Sequence, residues 1–104
     1  MPQRLTDPAE TIIATLRAHE SELRAAGLNH VSLFGSVARG EADDDGDVDL
    51  AARLDPNTRI GLFALTGLER RLGELLHRPV DLVPEPVEQQ RLQANIDRDR
   101  RIAF

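Results

Sequence analysis

The chain is 104 residues long with a net charge of −5, and it is 40% hydrophobic and 30% charged. These values predict one small soluble domain over residues 1–104 and exclude a disordered chain; they leave no room for a second, substrate-selecting domain. With no cysteine, disulfides and thiolate metal sites are excluded, and no apolar stretch approaches a membrane span.

Asp7-Pro8-Ala9-Glu10 reads as a helix start: a capping acid, proline at the first helical position and glutamate at the third. The segment before it has no apolar leader region, so cytoplasmic residence is expected. Ile12, Ile13, Leu16, Glu20 and Leu23 keep helical spacing to about Ala26, and Gly27 fits a stop. His30–Phe34 is short, apolar and β-branched, which predicts a buried strand. Gly35-Ser36 opens a turn or short helix that ends near Gly40, and residues 41–46 read as a polar loop. Val48, Leu50, Ala52 and Leu54 alternate with Asp47, Asp49, Ala51 and Arg53, the pattern of a half-buried strand.

Asp55-Pro56-Asn57-Thr58 is read as the start of a second long helix with the stripe Leu65, Leu68, Leu72, Leu75 and Leu76. Gly61, Gly67 and Gly73 interrupt it, and Pro79 ends it. Val80–Val83 is a third strand stopped by Pro84, and Pro86 opens a polar last helix carrying Val87, Leu92 and Ile96. The order predicts an α/β (α+β) layer: a small mixed sheet of three to four strands with helices packed on it.

The negative charge is local. Residues 41–49 hold six acids and no base, whereas the rest of the chain has 12 acids against 13 bases, all arginine. No long basic stripe exists to neutralise phosphates, so direct nucleic-acid binding is not expected. Asp43, Asp44 and Asp45 read as a solvated loop whose field draws in cations.

Positions i and i+2 of a strand share a face, so Asp47 and Asp49 point one way, with origins roughly 6.6 Å apart. Two bare charges at that distance repel by about 2.5 kcal/mol at an effective dielectric near 20. A cation between them removes that repulsion, and oxygen-only ligands near phosphates suit Mg²⁺ or Mn²⁺. Asp81, mid-strand in an apolar run, is the natural third carboxylate if its strand lies beside theirs. Three carboxylates can hold two metals for in-line displacement at phosphorus, and Asp81 is also a candidate general base. Taken singly, each has a plainer reading. Asp-x-Asp is common, and Asp81 alone fits an edge-strand end. Asp97-Arg98-Asp99 lies on a predicted helix, where i and i+2 do not share a face, and reads as solvated surface. A calcium loop beginning at Glu41 fails because its twelfth position is Ala52 rather than glutamate.

Gly35 admits close approach of a phosphate to the backbone, Ser36 adds a hydroxyl donor, and Arg39 carries a planar fork suited to phosphate. Alone, Gly35-Ser36 would be a strand-to-helix turn with a serine cap; the spacing to Asp47 and Asp49 changes that reading.

Leu33-Phe34-Gly35-Ser36-x-Ala38-Arg39-Gly40, then Asp47-x-Asp49-Leu50, then Pro79-Val80-Asp81-Leu82-Val83, resembles the minimal nucleotidyltransferase (MNT) family of the polymerase-β superfamily. The resemblance covers roughly residues 10–100. It implies Mg²⁺-dependent transfer of a nucleotidyl group from an NTP such as ATP, with Asp47, Asp49 and Asp81 as metal ligands and catalytic carboxylates. It implies Gly35 and Ser36 as the triphosphate clamp. Many relatives have Ser or Thr before the first of these aspartates, where this chain has Gly46. Larger relatives carry an acceptor-binding helical domain. A stand-alone chain is instead similar to MNT antitoxins, which are implied to silence a HEPN-domain ribonuclease toxin by adding AMP to a tyrosine. The expected partner is thus a HEPN-domain toxin in a hetero-oligomer. The alternatives are an antitoxin that acts by binding alone and a small-molecule nucleotidyltransferase.

Overall fold

The computed structural model of the chain describes residues 7–41 and 46–104, so the expected cation-drawing role of Asp43, Asp44 and Asp45 lies outside the described residues. Asp7 caps helix α1 (Pro8–Ala18), accepting from the Glu10 amide at 2.8 Å. The predicted single helix to Ala26 is in fact two. The His19 amide donates to the Leu16 carbonyl at 3.1 Å, a tighter turn that ends α1, and α2 (Glu20–Ala25) starts anew. Leu16 and Leu23 are both fully buried across this bend.

Strand β1 (Leu28–Phe34) leads into a four-residue helix, α3 (Gly35–Ala38), and β2 is Val48–Leu54. The next helix, α4, starts at Leu62 rather than Asp55 and runs to Leu76. Asp55 spends its capping chemistry on a local turn: Oδ1 accepts from the Asn57 amide at 2.9 Å and Oδ2 from the Thr58 hydroxyl at 3.3 Å. Of the predicted stripe, Leu68, Leu72 and Leu76 are buried. His77 in the left-handed conformation, not Pro79, ends α4.

Strand β3 (Val80–Glu85) continues through Pro84, contrary to the expected stop. It is an edge strand, where a missing N–H is tolerated. The Leu82 amide of that edge is satisfied by Glu69 Oε2 of α4 at 2.8 Å. The last helix, α5, begins at Gln90 rather than Pro86 and ends at Asp99, followed by a short β4 (Arg101–Ile102).

The sheet order is β3-β2-β1-β4, with β2 and β3 parallel and β1 antiparallel to both neighbours. The fold is therefore the expected α/β layer with a mixed four-stranded sheet. The main core joins Leu16, Leu23, Val31, Leu33, Val48, Leu50, Leu72 and their neighbours on one face. The predicted half-buried β2 is covered on both faces: Ala51 is buried with Phe34 and Ile96 under α5. None of the described helices is long and apolar enough to cross a membrane.

Candidate active site

Register builds the site. β2 and β3 pair so that Asp49 lies directly opposite Asp81. Parallel strands lie roughly 4.8 Å apart, so the two carboxylates leave the same face side by side. Asp47 sits one residue before β2, exposed, its approach fixed by the Val48 amide bonding the Pro79 carbonyl at 2.8 Å. The Arg78 Nε donates to the Gly46 carbonyl at 3.0 Å and ties down the residue that precedes Asp47. No sequence signal marks Arg78 for this job, because its partner is a backbone oxygen 32 residues away.

β1 brings the Gly-Ser turn to the same place. Phe34 pairs with Asp49, so Gly35 follows immediately beside the Asp49 side chain. Gly35 has φ +78°, and a Cβ there would collide with Asp49 Oδ2. Only glycine satisfies both the backbone conformation and the close approach. The α3 helix that follows has no side-chain cap, so Ser36 is not the serine cap of the plainer reading set aside above.

Electrostatics single out Asp49. It is half-buried between two more exposed aspartates. Burial first, then the negative charges of Asp81 and Asp47, hold its carboxyl above the ordinary aspartate range; Arg39 pulls weakly the other way. The donors are all oxygen and one of them is strained by like charge, which fits a hard divalent cation. The three side chains are not closed around one point: among the described residues no group of three His, Cys, Asp or Glu is drawn together tightly enough to hold an ion.

Arg39 is engaged rather than free. Its Nη1 donates to Asp99 Oδ2 at 2.6 Å and its Nε to Glu41 Oε1 at 3.0 Å. Asp99 therefore departs from the expected solvated surface: its side chain is 4% exposed. Asp97 keeps the expected solvated position, 61% exposed, and pairs with Arg100 at 3.1 Å. Away from the acidic cluster, a cavity of about 440 Å³ lies against α1 and β4, and another of about 370 Å³ at the Arg53–Arg100 end of the sheet.

The profile of the nucleotidyltransferase domain family matches residues 16–104. The chain is 41% identical over 75 residues to the protein adenylyltransferase MntA of Thermococcus cleftensis, covering 71% of this chain and 74% of that one. It is 33% identical to a solved minimal nucleotidyltransferase, covering 95% of this chain and 98% of that one with a TM-score of 0.73. A chain from the Shewanella oneidensis assembly of a tri-AMPylated HEPN toxin with its MNT antitoxin shares the fold, at 20% identity and a TM-score of 0.65, over 89% of this chain and 71% of that one. The register of Asp49 with Asp81, the Gly35 contact and these likenesses agree: the chain belongs to the nucleotidyltransferase domain family, in its minimal form.

Proposed function

We propose that this chain transfers AMP from ATP to a hydroxyl of a partner protein, a HEPN-domain toxin, and so acts as an antitoxin. The observation that carries the reading is the in-register pair Asp49 and Asp81 with Gly35 packed against it, in a chain 41% identical to a protein adenylyltransferase. Solved toxin–antitoxin relatives supply the partner class: one was crystallised with AMP-PNP and another holds a tri-AMPylated HEPN toxin. These 104 residues contain no tyrosine, so a tyrosine acceptor lies outside them.

In this reading Asp47, Asp49 and Asp81 would hold Mg²⁺, and the ion when bound would neutralise phosphate charge and acidify the attacking hydroxyl. The acceptor oxygen forms a bond to the α-phosphorus as the bond to the β-phosphate's bridging oxygen breaks, and pyrophosphate leaves. Asp81, exposed at the edge of the pair, would take the hydroxyl proton. Gly35 leaves room for the phosphates and for Asp49, Ser36 offers a hydroxyl donor, and Arg39 supplies positive charge at the rim.

The test is transfer of label from ATP, with Mg²⁺, to the protein encoded by the adjacent gene. The wild type labels that partner and protects cells from it; Asp47→Ala does neither. An unlabelled partner together with full protection by Asp47→Ala would instead assign an antitoxin that works by contact alone.

A further inference from the structure

Asp99 is the last residue of α5 and one of the few nearly buried acids among the described residues. It accepts from Arg39 Nη1 at 2.6 Å and from Arg98 Nε at 3.0 Å. Arg39 stands one residue past α3, the turn that begins with Gly35. Its other partner, Glu41, is only two residues along the chain, and that side chain is 61% exposed. The two carboxylates on this arginine therefore differ in kind. Asp99 comes from a separate, packed helix and fixes the guanidinium; Glu41 is a solvated neighbour that water or a stronger anion can replace.

The geometry of the fork matters. Asp99 takes the terminal Nη1, while Glu41 takes Nε. The Nε–Nη2 edge is the side of a guanidinium that grips a phosphate or carboxylate with two parallel hydrogen bonds. Releasing Glu41 frees that edge while Asp99 still holds the group in place. Arg39 also stands within electrostatic reach of the acidic cluster, since its charge favours the ionised form of Asp49.

We propose that Asp99 is a positioning residue that holds Arg39 ready for the nucleotide's triphosphate, and that Glu41 is the partner Arg39 gives up when the nucleotide binds. The inference rests on the nucleotidyl-transfer reading above. Asp99 repels the incoming phosphates little, because Arg98 neutralises it from the other side at 3.0 and 3.4 Å. Its removal leaves Arg39 tied only to the exposed Glu41, so that giving up Glu41 also gives up the guanidinium's position, and the freedom gained must be lost again on binding.

Calorimetric titration of Mg²⁺-ATP into the full chain tests this. Asp99→Ala weakens ATP binding by about tenfold, the scale of one hydrogen bond to a charged group. Arg39→Ala weakens it at least as much, and Asp99→Ala adds nothing in the Arg39→Ala background. Asp99→Asn, which keeps an accepting oxygen, recovers most of the loss. Glu41→Gln binds ATP as well as wild type or better. Thermal melting reports whether each variant is folded; if Asp99→Ala is not, Asp99→Leu, of similar shape but with no accepting oxygen, takes its place and is expected to weaken ATP binding about tenfold while Glu41→Gln does not. Wild-type affinity in Asp99→Ala, a loss that persists without Arg39, or an equal loss in Glu41→Gln overturns the assignment. A wild-type chain that binds no ATP sinks the transferase reading itself, and this inference with it.

Discussion

Two ends of one strand pair treat charge in opposite ways. At one end, β2 and β3 set Asp49 beside Asp81, with Asp47 next to them, and like charge is left facing like charge. Four residues on, the same ladder sets Arg53 beside Glu85. There Glu85, only 2% exposed, takes Arg100 through both oxygens, at 3.0 and 2.5 Å, while Gln93 adds a further bond at 2.8 Å. Ser32, buried on the neighbouring strand, accepts from the same Arg100 at 3.0 Å. Arg100 holds the Glu85 carboxyl below the ordinary glutamate range, whereas burial and its neighbours hold Asp49 above the ordinary aspartate range. A compensated cluster stabilises a fold. One in which burial and like charge outweigh the pull of Arg39 marks a candidate for something the chain does.

That contrast can be broken from either end. The largest effect is expected from Asp49→Asn: transfer falls by about 10³-fold or more, measured as the rate of label incorporation, because a carboxylate proposed to hold the metal is lost. Gly35→Ala is next. It puts a Cβ where Asp49 Oδ2 stands and strains a positive φ, so transfer falls by about 10²-fold through misplacement. Glu85→Gln acts on the other end, destabilising the fold by about 2–3 kcal/mol in urea melts because Arg100 loses its main partner. The folded fraction of that variant keeps its transfer rate.

The smallest effect is on the pH dependence of stability. A carboxyl raised in the folded state binds its proton more tightly there than when unfolded. The contribution of Asp49 is therefore best at low pH and is lost as pH rises through its raised value. Asp49→Asn should then raise the melting temperature at neutral pH without Mg²⁺, and the gain should vanish in acid. Glu85 has the opposite sign: its stabilisation is present at neutral pH and is lost as pH falls through its lowered value.

The acidic end was legible in the sequence because strand periodicity alone aligns Asp47 with Asp49, and an acid in the middle of an apolar run marks Asp81. The resemblance of the Gly35-Ser36 and Asp47-x-Asp49 spacing then named the chemistry, and the fold followed. The other end was not legible. The rule that i and i+2 do not share a helix face holds for Asp97, which stays 61% exposed beside Arg100 three residues on, but it says nothing of partners on other elements, and Asp99 is covered by Arg39 from 60 residues away. Ala51 looked like the exposed side of a half-buried strand until α5 covered it. Asp55 carried a capping signal that a local turn took up seven residues before α4 begins. In each case a tertiary or turn contact overrode a local pattern.

The most direct measurement is an NMR titration of the side-chain carboxyls, with and without Mg²⁺. The account predicts that Asp49 titrates above the ordinary aspartate range in metal-free protein, that Mg²⁺ moves it down, and that Glu85 titrates below the glutamate range and ignores the ion. An Asp49 that titrates as an ordinary aspartate and does not respond to Mg²⁺ would contradict it.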